Sequence, residues 1–453
     1  MSVRVRFAPS PTGAMHVGNL RTALFNRLFA LRHGGTLILR IEDTDRARHD
    51  PLAERTILDA LTRLGIGWDE GPYRQSERLD LYRDAVERLA ADGKVYRCFC
   101  TEGELESDRA AAVAAGKPPR YSGRCRTTPP SNVGDAPFVW RFMTGDRPVS
   151  FDDGVRGNVT FSSADFGDFP VARSDGSPLF LFASAVDDAE MRITDVIRGE
   201  DHLSNTPRQL MLFEALGVPA PRYHHLPIIV DDEGKKLSKR KGAIDPAALL
   251  DEGFLPESIV TGVALLGWAG IDGKEALNIE EMATRFDIGA VSRSPSRYDF
   301  PRIDHLNVTL LKETGGASLV PLFAAHGLTF GGIDPVTVAR LVAGTVKRTD
   351  EAIPFALQFA RPLPPDDEAA ALLADPAARG VVEAALDAVG GGYDAVIESS
   401  RSKTGAKGKA LFAPLRAALT GRLTGPNLKD LFDTLGSAAL AERLSLTVNR
   451  WRS

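Results

Sequence analysis

The sequence predicts an α/β protein: a doubly wound parallel sheet, split by a mixed α+β segment and followed by a long all-α region. Three observations carry the prediction. Residues 1–90 alternate short apolar strand patterns with helix-spaced ones, as βαβ units do. The alternation stops near Tyr96, where cysteines, prolines and glycines gather, and resumes near Arg192. Beyond Gly242 the apolar spacing is almost wholly helical.

In chain order, Val3-Arg4-Val5-Arg6-Phe7 alternates as a strand, and Leu20, Leu24, Leu28 and Leu31 then fall on one helix face with Arg21 and Arg32 off it. Thr36 to Ile41 is a continuous apolar strand ending in Glu42 and Asp43. Helical spacing recurs at Ile57, Leu61 and Leu64 and, after a turn over Gly67 to Pro72, at Leu81, Val86 and Leu89. The mixed segment contains strand candidates Phe138 to Phe142 and Val171 to Arg173, with a turn at Asp175-Gly176-Ser177. The sheet resumes with Arg192 to Arg198, then a helix over Pro207 to Leu216 and a strand over Leu226 to Val230. Leu249, Ile259, Val263 and Leu266 begin the helical region, and Pro362 to Glu368 reads as an exposed linker.

At 453 residues the chain exceeds one typical core, so two or more domains are expected. Hydrophobic content of 43% and charged content of 25% are ordinary for a soluble globular protein. The first residues carry no apolar signal core and no run is long enough to span a membrane, so a cytoplasmic chain with no membrane partner is expected. Three cysteines are too few for a disulfide framework and fit a reducing compartment. A net charge of −5 does not mark a nucleic-acid binder. The C-terminal end is nevertheless basic, with Arg401, Lys403, Lys407, Lys409, Arg416, Arg422, Lys429, Arg443, Arg450 and Arg452 set against Asp430, Asp433 and Glu442.

Chemistry concentrates in a few stretches. Pro9-Ser10-Pro11-Thr12-Gly13-Ala14-Met15-His16-Val17-Gly18-Asn19 is a turn between a strand and a helix. A helix N-terminus offers unpaired N–H groups and a partial positive charge, which suits a phosphate. Gly13 and Gly18 let a ligand approach the backbone, and His16 can donate to a phosphate oxygen. Ligands of such sheets bind beyond the carboxyl ends of strands, so Glu42 and Asp43 are site candidates, while Asp45 also fits a helix cap. Lys235, Lys236, Lys239, Arg240 and Lys241 form either a phosphate clamp or a basic patch. Cys98, Cys100 and Cys125, with Tyr121 nearby, form either a partial zinc site or three reduced cysteines in a small core.

Read together, these stretches resemble the class I aminoacyl-tRNA synthetases. His16-Val17-Gly18-Asn19 resembles the HIGH box, Lys236-Leu237-Ser238-Lys239-Arg240 the KMSKS loop, and Arg6 to Gly13 with Arg40 to Asp45 the glutamyl/glutaminyl branch. The resemblance to bacterial-type glutamyl-tRNA synthetases covers nearly the whole chain. It implies a Rossmann-like catalytic domain in two halves, 1–90 and 186–242, around an acceptor-stem-binding insertion at 91–185. A stem-contact helical domain at 243–306 and a helical anticodon-binding region at 307–453 would follow. The Ser296-Arg297-Tyr298-Asp299-Phe300 and Asp304 to Asn307 stretches resemble the hinge into that last region.

The activity implied is glutamate–tRNA ligation by a monomer. Glutamate attacks the α-phosphate of ATP, brought with Mg2+, and a ribose hydroxyl of tRNA(Glu) then takes the glutamyl group; tRNA(Gln) is the alternative second acceptor. Neither step needs a covalent enzyme nucleophile, so positioning and charge stabilisation carry the catalysis. The resemblance places His16, Lys236 and Lys239 in catalysis. It places Pro9, Thr12, Gly13, His16, Gly18, Asn19, Leu237, Ser238, Lys239 and Arg240 on ATP. Arg6, Ala8, Ser10, Glu42, Phe180, Arg198 and His202 would hold glutamate, the arginines meeting its carboxylate and Glu42 its ammonium group. One departure stands out. Family members commonly read Pro-Thr-Tyr-Asn-Phe-Ala where this chain has Pro178-Leu179-Phe180-Leu181-Phe182-Ala183, so a hydroxyl is missing at Phe180 and an amide at Leu181. Each lost hydrogen bond is worth about 1 kcal/mol. Some members also carry a fourth zinc ligand two residues after the last cysteine, where this chain has Thr127, and Tyr121 is the alternative ligand.

Overall fold

A computed structural model describes residues 2–13, 15–45, 50–128, 130, 136–162, 166–231, 233–237, 245–271 and 276–452. The chain divides into two compact units: Met1–Ala248 with Ile259–Gly273 and Leu277–Phe300, and Leu249–Ser258 with Lys274–Ala276 and Pro301–Ser453.

The first unit opens with β1 (Arg4–Phe7), α1 (Val17–Arg32), β2 (Thr36–Ile41), α2 (Pro51–Arg63), β3 (Glu70–Arg74) and α3 (Leu79–Ala91). The strands form a parallel sheet in the order β1-β2-β3. Leu20, Leu24 and Leu28 are fully buried against it, as the helical spacing requires. Arg21 departs from the expected polar face. It is buried because its guanidinium donates to two backbone carbonyls, Leu266 O at 3.0 Å and Pro227 O. The cap of α2 is Asp50, which accepts from Leu52 N–H at 2.9 Å, and not Asp45.

The mixed segment contains β4 (Val95–Cys98), α4 (Glu102–Ala114), α5 (Arg124–Thr127), β5 (Val139–Phe142), β6 (Val149–Asp153), β7 (Gly157–Phe161) and β8 (Phe169–Arg173). Only part of it stands apart from the main sheet. β4, β5 and β8 form their own antiparallel sheet, whereas the β6–β7 hairpin joins the second half of the main sheet.

That second half follows with α6 (Phe180–Glu190), β9 (Asp195–Gly199), α7 (Thr206–Leu216), β10 (Arg222–Leu226) and β11 (Ile229–Val230). Its strand order is β7-β6-β10-β9, and β6 and β9 both run parallel to β10. Two boundaries differ from expectation. Arg192 sits at φ 53 in a turn, so β9 begins only at Asp195. The apolar run Leu226 to Val230 is the tail of one strand and the start of another. β10 runs instead through Tyr223-His224-His225, whose polar side chains disguise a buried strand. Thr194 links the two halves: its N–H donates to Arg4 O at 2.9 Å and its Oγ1 accepts from Arg4 N–H at 2.9 Å. β1 and β9 therefore meet where the winding reverses, the position at which such sheets bind ligands.

After α8 (Pro246–Asp251), α9 (Pro256–Ala264), α10 (Ile279–Arg285) and β12 (Ser296–Arg297), the second unit is helical. It runs through α11 (Phe300–Glu313), α12 (Leu319–Ala325), α13 (Pro335–Ala343), α14 (Ala352–Ala360), α15 (Asp367–Ala374), α16 (Pro376–Ala388), α17 (Gly392–Thr404), α18 (Lys409–Thr420) and α19 (Leu428–Arg452). Its core is mainly aliphatic, with Leu319, Val338, Val342, Val382, Leu411, Leu415 and Leu431 fully buried. The segment expected as an exposed linker is half-buried, and Asp366 in it caps α15 by accepting from Ala369 N–H at 2.8 Å. The basic C-terminus is also not one solvated face. Arg443 is buried on the carbonyls of Gln358 and Leu419, and Arg416 donates to Pro426 O.

Candidate active site

A cavity of about 370 Å³ opens beyond the carboxyl ends of β1, β9 and β10. Its wall brings together Arg6, Ala8, Pro9, Ser10, Thr12, His16, Gly18, Asn19, Glu42, Phe180, Arg198, His202, Lys236 and Leu237. Of the remaining residues expected to bind ATP, Gly13 is not in the lining and adopts φ 147, while Ser238, Lys239 and Arg240 lie outside the described residues.

At one end of the cavity, His16 caps α1. Its Nδ1 accepts from Gly18 N–H at 3.1 Å and Asn19 N–H at 3.4 Å, which leaves Nε2 as the protonated nitrogen of the neutral ring. The expectation of open N–H groups at this helix start is corrected in part, because those of Gly18 and Asn19 are already taken by the imidazole. The helix dipole and the His16 side chain both favour an anion at this end of the cavity. Gly18 also has a role beyond the expected one. A Cβ there would stand 3.0 Å from the His16 ring, so glycine makes room for the imidazole. Lys236 stands at the cavity mouth, largely exposed, with Nζ 3.2 Å from Asp201 Oδ2.

The other end is a buried charge network. Arg40 is fully buried and reaches Asp188 Oδ1 at 2.6 Å, Glu42 Oε1 at 3.2 Å and Asp187 Oδ2 at 3.7 Å. Arg6 Nε donates to Asp188 at 3.2 Å. Asp187 also accepts from Arg78, Gln75 and Tyr82, each at 2.8 Å. Glu42, Asp187 and Asp188 are thus matched by Arg6, Arg40 and Arg78. Arg198 is the surplus cation: among the described residues it has no carboxylate partner. Its Nε donates to His225 Nε2 at 3.1 Å, and its Nη2 donates to Thr206 Oγ1 at 2.8 Å and His202 O at 3.3 Å. Burial lowers its pKa to about 10, which still leaves it charged at neutral pH. Burial raises the Glu42 carboxyl, with Arg40 and Arg6 opposing the rise. Burial, then the Arg198 charge, push the His202 imidazole down, and the Phe180 ring lies 5.6 Å from it.

Asp43 does not line the cavity. Its carboxylate accepts from Ser76 N–H at 2.8 Å and Ser76 Oγ at 2.5 Å, fixing the turn after β3. Arg21, Arg40, Ser184, Asp187, Asp188, Thr206 and His225 escaped the sequence reading. Only the acidic pair left a signal: two adjacent aspartates inside the otherwise apolar α6 must be paired if that helix is buried.

Comparison with known proteins decides the family. Residues 2–305 match the model described as tRNA synthetases class I (E and Q), catalytic domain, and residues 337–448 match an anticodon binding domain. The chain belongs to the class I tRNA synthetases of the E and Q branch. Among its relatives, the glutamate–tRNA ligase of Heliobacterium modesticaldum is 40% identical over 98% of this chain and 96% of its own. Glutamate–tRNA ligase 1 of Halorhodospira halophila is 42% identical at the same coverages. A crystal structure of a glutamate tRNA ligase from Elizabethkingia meningosepticum, in complex with its amino acid, superposes with a TM-score of 0.83 at 30% identity, covering 99% of both chains.

The mixed segment of this synthetase carries two further features. Cys98, Cys100 and Cys125 bring their sulfurs within 4.8 Å of one another. Tyr121 Oη lies 3.4 Å from Cys98 Sγ and 3.6 Å from Cys100 Sγ, and accepts from Cys125 N–H at 2.9 Å. The three sulfurs match the thiolate ligands of a tetrahedral zinc site, and the Tyr121 oxygen is the fourth polar atom beside them. Thr127 is turned away, its Oγ1 donating to Arg124 O at 3.2 Å. Nearby, a cavity of about 590 Å³ is lined by Arg109, Arg120, Arg141 and Arg208 with Tyr121, Phe166 and Phe169. Leu181 faces this second cavity and Phe180 borders both.

Proposed function

We propose that this synthetase is a glutamate–tRNA ligase that forms glutamyl-adenylate from glutamate and ATP and transfers the glutamyl group to tRNA(Glu). The observation that carries the substrate assignment is Arg198, a buried guanidinium held by neutral acceptors beside a network whose other charges are already matched. A carboxylate side chain completes that balance, and an uncharged one leaves it open. Glu42, on the same wall, is the partner for the substrate ammonium group. The names of the relatives support the same substrate.

His16, Lys236 and Lys239 are the groups assigned to the phosphates, with Mg2+ arriving on ATP. The arginine- and aromatic-lined cavity suits a single-stranded tRNA end, since aromatic faces stack bases and arginines meet phosphates. Phe180, bordering both cavities, then stands where the terminal ribose meets the adenylate. The matched anticodon domain supports tRNA as the partner, with tRNA(Gln) as a candidate second acceptor. Zinc is assigned to Cys98, Cys100, Cys125 and Tyr121. Elemental analysis should find about one zinc per chain. Cys98→Ser should lose it and impair tRNA charging before ATP–pyrophosphate exchange, and a metal-free protein with normal charging would leave the cysteines as packing. No helix among the described residues is long and apolar enough to cross a membrane.

ATP–pyrophosphate exchange in the presence of tRNA tests the reading. Exchange should depend on glutamate and be near background with glutamine. Exchange driven by glutamine, or none with either, would overturn it. A tRNA-binding protein without ligase activity would give the second result.

A further inference from the structure

Arg198 is oriented from behind by a chain of buried groups that begins on β6, the strand by which the mixed segment joins the main sheet. Asp153 ends β6, in the mixed segment, and His225 lies on β10. Asp153 Oδ2 lies 2.5 Å from His225 Nδ1, and Asp153 Oδ1 accepts the backbone N–H groups of Val155, Arg156 and His225 at 3.0, 2.9 and 3.1 Å. His225 and Thr206 are fully buried, and Asp153 is only 4% exposed. On its far side, His225 Nε2 lies 3.1 Å from both Arg198 Nε and Thr206 Oγ1.

The proton positions in this chain follow from its chemistry. Three N–H donors on one oxygen, with the His225 ring on the other, keep Asp153 ionised, and its carboxyl pKa is lowered to about 2. Burial holds His225 neutral, with a pKa lowered to about 4. A neutral imidazole facing a carboxylate puts its proton on Nδ1, so Nε2 presents a lone pair to Arg198. The opposite tautomer would set an N–H against the Arg198 Nε–H. The Tyr223 ring closes the other side, lying 5.1 Å from the Arg198 guanidinium carbon and stacked on His225 at an interplanar angle of 4°. Among the described residues Nη1 has no hydrogen-bond partner. A direct carboxylate partner would neutralise the guanidinium, as Asp188 does for Arg6. A carboxylate acting through an imidazole orients it and leaves the charge for the ligand.

We infer that Asp153 and His225 are positioning residues for amino-acid selection: Asp153 sets the His225 tautomer, and His225 with Thr206 aims Arg198 at the substrate carboxylate. The inference rests on the role assigned to Arg198 above, and the experiment separates the two. Aminoacylation kinetics with saturating tRNA would be measured for Asp153→Asn, His225→Gln, His225→Ala, Thr206→Val and Arg198→Ala, and for the double variants in the Arg198→Ala background. Asp153→Asn and Thr206→Val should each raise the glutamate KM about tenfold, with the ATP KM within twofold of the parent. His225→Gln, whose amide oxygen can still accept from Arg198, should rise less than His225→Ala. In the Arg198→Ala background, adding Asp153→Asn should change the glutamate KM no further, because the group it positions is gone. A purely structural Asp153 would lower the melting temperature and move both KM values in either background. Parent-like glutamate KM in folded Asp153→Asn and Thr206→Val would overturn the inference while leaving Arg198 in place. If Arg198→Ala moved the glutamate and ATP KM values equally, the Arg198 assignment itself would fall. Should Asp153→Asn fail to fold, Thr206→Val and His225→Gln carry the same test.

Discussion

The two ends of the cavity are built differently. At the end with Arg6, Arg40, Glu42 and Arg198, these four groups are nine-tenths or more buried, and Arg6, Arg40 and Arg198 are held by partners from distant parts of the chain. At the other end, His16 is bonded to its own helix and Lys236 is a largely exposed side chain whose ion pair among the described residues is with Asp201. The contrast teaches how such a site divides its work. A ground-state carboxylate is best met by charges already in place, because the protein does not reorganise on binding. Charge on a departing pyrophosphate develops only in the transition state, and a loop with long side chains can follow it.

Breaking the buried end should have the largest effect, and it should appear as lost stability. Asp188→Ala leaves the Arg6 and Arg40 guanidiniums short of a shared buried partner, which costs about 3–5 kcal/mol. Urea denaturation would measure it, and a loss under ~1 kcal/mol would mean the network is redundant. The pH dependence follows the same group. Burial alone would raise the Asp188 pKa, but Arg40 and Arg6 lower it below the ordinary value. Its stabilisation is therefore complete above the ordinary carboxylate pKa of ~3.9 and is lost as pH falls through the lower folded value. Glu42, raised by burial, acts with the opposite sign as pH rises past its ordinary value.

Next in size is the ligand face of that end. Arg198→Ala should raise the apparent requirement for glutamate by the equivalent of about 2–5 kcal/mol, with little change for ATP. Steady-state kinetics with each substrate varied would check it, and equal effects on both would mark Arg198 as structural.

His16 probes the opposite end and separates its two roles. Asn accepts well at a helix N-cap, so His16→Asn keeps the cap but loses the ring N–H donor. It should lower the rate of adenylate formation about 10²-fold with normal stability and glutamate KM. His16→Ala should add a loss of about 1 kcal/mol in stability. If both variants match the parent in rate and in stability, the imidazole acts in neither way.

The smallest effect is expected at the mouth. Lys236 is exposed and its pair with Asp201 is of a kind worth about 0.2–1 kcal/mol. Lys236→Ala should change the ATP KM only a few-fold and leave stability unaltered. A loss as large as that of His16→Asn would show that the loop closes onto ATP during the reaction and would narrow the contrast between the two ends.

Much of this was legible in the chain itself. The α/β class, the strand before His16, the helix after it and the strand before Glu42 follow from periodicity over a few residues, because backbone hydrogen bonding and burial of one face are local properties. The motif stretches likewise named most of the residues that line the cavity. Tertiary structure alone decided which charges are matched. Glu42 and Asp43 are adjacent, yet one lines the cavity and the other holds Ser76. Arg6 and Arg198 are both arginines at strand ends, yet one is paired with Asp188 and the other bonds, among the described residues, His225, Thr206 and a carbonyl. Tyr223-His224-His225 is a poor strand pattern that forms a strand because Asp195 and Asp153 receive its two imidazoles. Each outcome depends on a partner tens to hundreds of residues away. The energy of a buried charge is set by what lies within a few ångströms of it, a quantity that sequence spacing does not contain.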